Sequence, residues 1–62
     1  MKMPNEEYAT FRINLEVRLM EAIAERQAIR LVHPEWVTSI NELSEEIELA
    51  KKNLERFLLE NL

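Results

Sequence analysis

Few side chains in this 62-residue chain could do covalent chemistry, and none stands at a spacing that such chemistry needs. His33 is the only histidine and has just Glu35 beside it, whereas a metal ion requires several converging ligands. Ser39 and Ser44 have no aspartate anywhere in the chain to complete a triad. Glu42, Glu45, Glu46 and Glu48 crowd together, but nothing in their surroundings suggests the burial that would tune a carboxyl pair, so they read as a solvated helix face. Catalytic, cofactor and metal roles are therefore not expected, and binding is left. The polar groups at a regular spacing are Tyr8, Thr10 and Arg12, a phenol, a hydroxyl and a guanidinium on every second residue. On an extended chain these three share one face.

The element that would position them is a strand over residues 8–13. Ala9, Phe11 and Ile13 alternate with the polar residues and give that strand an apolar inner face. A lone strand cannot satisfy its own N–H and C=O groups, so the expectation is that it pairs with the same strand of a second copy. Chain length points the same way, because a domain of this size rarely draws more than about 3–5 kcal/mol from its own core. Cysteine is absent, which excludes disulfides and fits a reducing cytoplasm. Dimerisation is the remaining device.

Composition favours helix after that strand. Glycine and aspartate are both missing, so the usual material of tight turns is scarce. Residues 1–7, with Pro4, Asn5 and two acids, read as an arm, and no apolar run is long enough to span a bilayer. Asn14 is the expected N-cap of a helix over 15–32, on which Val17, Met20, Ile23, Ala24, Ala28 and Leu31 form the core face. Pro34 ends that helix, and residues 33–38 form a connection that Trp36 pins against a helix. Ser39 caps the second helix, 39–61, with Glu42 completing a capping box. Along it Ile40, Leu43, Ile47, Ala50, Leu54 and Phe57 repeat at alternating steps of three and four, an uninterrupted seam.

Strand, capped helix, connection and second helix opening Ser-Ile-Asn form the layout of the ribbon-helix-helix family of DNA-binding dimers. The run Phe11-Arg12-Ile13-Asn14-Leu15-Glu16-Val17-Arg18 resembles that family's strand-to-helix junction, and Ser39-Ile40-Asn41-Glu42-Leu43 resembles the start of its second helix. The resemblance implies a mostly α intertwined homodimer with a two-stranded antiparallel intersubunit ribbon in the DNA major groove. Tyr8, Thr10 and Arg12 would read base edges, Arg12 above all toward guanine. The backbone at Ser39, Ile40 and Asn41 would hold a phosphate. Ala9, Phe11, Ile13, Met20, Ile23, Ile40, Leu43 and Ile47 would make the dimer core. The implied function is that of a cytoplasmic, repressor-like transcription regulator whose partners are a second copy and double-stranded DNA.

Charge supports a different class. The first 32 residues are balanced and the remainder carries the whole net charge of −4, an unfavourable field for phosphate. The alternative is an acidic helical hairpin that binds another protein, through its apolar seam and acidic surface, and no DNA; the seam taken alone reads as the core face of a hairpin.

Overall fold

The computed structural model describes residues 3–62, and it is a helical hairpin. Helix α1 runs Asn5–Val32 and helix α2 runs Val37–Glu60, and the described residues contain no strand. The expected strand over 8–13, and with it the intersubunit ribbon and the ribbon-helix-helix fold, is thus corrected: those residues are helical. Met1 and Lys2 of the expected arm lie outside the described residues, while Asn5, Glu6 and Glu7 already belong to α1.

Helix wins over strand here for local reasons. Six residues of apolar alternation also fit a helix, because Tyr8, Phe11 and Leu15 recur at helical steps of three and four. A strand needs a partner for every backbone group, whereas these residues only extend a helix already nucleated downstream, each adding an internal bond. Glu6 and Glu7 sit in the first turn, at the positive end of the helix dipole. The Thr10 hydroxyl donates to the Glu6 carbonyl at 2.9 Å, and Arg12 donates to Glu16 at 2.8 Å, one turn on. Asn14 is therefore an exposed mid-helix residue instead of a cap. Pro4 precedes the first turn, where its missing N–H costs no bond.

Helix α1 ends at Val32, where Pro34 bars further helical geometry at His33. No residue among those described adopts positive φ, so the turn is made without a left-handed stop. His33 donates its N–H to the Ile29 carbonyl at 2.7 Å, and its own carbonyl accepts from Trp36 at 3.0 Å. The imidazole and indole rings stack at 3.9 Å with planes 3° apart, so Trp36 pins the turn onto His33. Because Trp36 is the N-cap, Ser39 falls inside the first turn of α2 and makes no capping bond.

Along the hairpin the seam residues of α2 face α1. Ile47, 1% exposed, is the one fully buried side chain among the described residues. At the open end Phe57 stacks against Tyr8 and Phe11, with ring centroids 5.3 and 6.0 Å apart. Asn61 closes the same end: it accepts from the Met3 N–H at 3.1 Å and donates to the Phe57 carbonyl at 2.9 Å. The molecule is a slab of 45 × 16 × 10 Å with a radius of gyration of 14.3 Å. A compact chain of this length would have about 10.6 Å.

Candidate interaction surface

A straight helix advances about 100° per residue, so positions two apart point in nearly opposite directions. Thr10 consequently points away from Tyr8 and Arg12, which are one turn apart on the same side of α1 and close enough to interact. Tyr8 turns inward onto Phe57, Thr10 is exposed and bonded to its own helix, and Arg12 is exposed and paired with Glu16. The Glu16 hydrogen bond and charge raise the Arg12 guanidinium further above its already high value. At the other proposed contact, the Ile40 N–H is spent on the Trp36 carbonyl at 3.0 Å, and Ser39, Ile40 and Asn41 lie within α2.

The residues expected in a dimer core divide. Ile40, Leu43 and Ile47 pack inside the hairpin, whereas Ala9, Phe11, Ile13 and Met20 are exposed and Ile23 is half-buried at the edge. The face of α1 that meets α2 is built from Leu15, Leu19, Ala22, Arg26 and Ile29, stepping four, three, four, three, all half-buried. The guanidinium of Arg26 donates to the Ser44 hydroxyl at 3.1 Å, and that hydroxyl donates to the Ile40 carbonyl at 2.9 Å. A cation is thereby accommodated within the seam.

On the opposite side of α1 runs a second apolar stripe: Ile13, Val17, Met20, Ala24 and Leu31. Its steps are four, three, four and seven, the same repeat with Gln27 filling the remaining position. Ile13 is 57%, Val17 43%, Met20 67% and Leu31 79% exposed, values a core residue does not show. The stripe extends about 27 Å along the helix. Isolated apolar residues on a surface are ordinary, but a row of this kind, broken only at Gln27, is the type of feature that protein contacts use.

Helix α2 has no equivalent. Its outward surface carries Glu42, Glu45, Glu46 and Glu48, all exposed, and its exposed large apolar residues, Val37, Leu49 and Leu59, point in different directions and form no row. Among the described residues no three metal-ligating side chains converge, and no helix is long and apolar enough to cross a membrane.

Comparison with protein-family models, curated proteins and solved structures gave no match for this chain.

Proposed function

We propose that this protein is a helical-hairpin interaction module, acting by protein–protein contact in the cytoplasm. The observation that carries this reading is the outer apolar stripe of α1, because it lies about 160° around the helix from the seam and so takes no part in holding the hairpin together. A chain this short gains nothing from exposing Ile13, Met20 and Leu31 unless another surface covers them. The acidic outer surface of α2 supports the same reading, since it opposes nucleic acid and keeps the far side of the molecule in water.

Photocrosslinking in cells tests it. A benzophenone side chain at position 20, in the stripe, is expected to give a discrete protein adduct, and the same group at position 45, on the acidic surface, is expected to give none. Absence of an adduct at 20, or equal adducts at both positions, overturns the reading. Duplex DNA is expected not to bind even at low salt; salt-dependent binding abolished by Arg12→Ala would return the function to nucleic acid.

A further inference from the structure

Building on that reading of the α1 face, we infer that its occupant is a second copy of this chain, packed antiparallel so that α1 meets α1. Three observations carry this. The first is area. A globular monomer of 7.4 kDa exposes about 4,200 Å². This chain exposes 5146 Å². The excess, about 900 Å², is of the order that each partner buries in a standard protein–protein interface, about 800 Å².

The second is that the stripe is complementary to its own reverse. A twofold axis crossing α1 near Ala22 sets Ile13 against Leu31 of the second copy, Val17 against Gln27, and Met20 against Ala24. The two large ends meet each other, and at the middle the long, adaptable Met20 meets a small residue, as interdigitating helices require.

Charge at the flanks is the third, and it fixes direction. Glu16 and Arg30 both precede a stripe residue, so they lie on the same edge. Antiparallel packing places Glu16 of each copy beside Arg30 of the other, giving two attractive pairs, with one Glu21–Glu21 approach on the other edge near the axis. Parallel packing instead sets Glu16 against Glu21 twice and offers no attractive pair between helical residues. Arg30 makes no ion pair within its own chain among the described residues. Glu16 is already oriented by Arg12 at 2.8 Å.

Sedimentation equilibrium on the full chain is the test, with circular dichroism on each sample to confirm that the helices persist. Wild type is expected to be a dimer. Glu16→Arg and Arg30→Glu each place like charges at two symmetric contacts and are expected to weaken dimerisation about tenfold. The double variant restores it. Should either reversal unfold the chain, Glu16→Gln and Arg30→Gln give the milder form of the same comparison. Charge reversals without effect, alongside a dimer that Met20→Glu dissociates, overturn the antiparallel register and leave the α1 face standing. A wild-type monomer, or a dimer indifferent to Met20→Glu, overturns the inference as a whole. In that case the adduct at position 20 decides separately whether another protein covers the stripe.

Discussion

Arg26 on α1 donates to the Ser44 hydroxyl on α2 at 3.1 Å, joining the helices by a polar contact in the middle of an otherwise apolar seam. Both side chains are half-buried, so the bond fixes the lateral register of the hairpin at a point where apolar side chains alone would allow sliding. Ser44→Ala removes the acceptor and is expected to cost about 1 kcal/mol. Arg26→Leu removes the cation as well and should be neutral or mildly stabilising. Urea denaturation at one fixed protein concentration measures both, and a larger loss for Arg26→Leu than for Ser44→Ala would contradict this role.

Ile47 is the best-covered side chain of the hairpin, and a slab two helices wide has little else to compensate for it. Truncation to alanine leaves a cavity and is expected to cost about 2–5 kcal/mol, enough to unfold a chain of this size at ambient temperature. Loss of the helical dichroism signal is the readout. Ile13→Ala, on the outer stripe, should leave that signal near the wild-type level.

Phe57 holds the first turns of α1 through its stacks with Tyr8 and Phe11. Phe57→Ala should loosen residues 5–12 selectively, at a cost of about 2 kcal/mol. Amide hydrogen exchange there is expected to accelerate while the stretch around Leu19 to Ile29 stays protected. Uniform acceleration along α1 would show that the open end is not a separate unit.

Acid should act on the turn. The Glu35 carboxylate is held below its ordinary value by a hydrogen bond from its own backbone N–H and, secondarily, by the His33 ring at 3.0 Å. A lowered folded-state value means that the stabilisation is present above the ordinary carboxylate range and is lost as pH falls through the folded value. In an NMR titration the Glu35 midpoint should fall below that of the same residue in an unstructured peptide spanning the turn. Equal midpoints would remove the electrostatic account of the connection, as would a Glu35→Gln variant with unchanged acid sensitivity in the turn.

The two helices differ in how plainly the amino-acid sequence declares them. Helix α2 has one apolar row, Ile40 to Phe57, against a charged background, so its inward face can be read directly from the spacing. On α1 two rows compete. The row containing Val17, Met20 and Leu31 reads as the core by composition, yet it faces outward, because the inner row includes Arg26 and small Ala22 and scores as less apolar. What settles the choice is fit against α2, where Ser44 receives the Arg26 guanidinium, and that complementarity is invisible one helix at a time. The first turns of α1 misled for a related reason. Between Tyr8 and Ile13 the period-two and helical patterns coincide, and only the cost of leaving strand backbone unpaired separates them. The resemblance to ribbon-helix-helix proteins drew its strand from that ambiguous stretch, its other windows being helical in either reading, and so the paired reading surface of Tyr8, Thr10 and Arg12 disappears with the strand.

Leu19 and Met20 are sequence neighbours, one facing α2 and the other exposed on the outer stripe, and placing a glutamate at each in turn asks most directly whether α1 has two separate apolar faces. With circular dichroism and sedimentation equilibrium recorded on the same samples, Leu19→Glu is expected to destroy helicity, and Met20→Glu to preserve helicity while abolishing association. Loss of helicity in both variants, or full association in Met20→Glu, would contradict the two-faced helix.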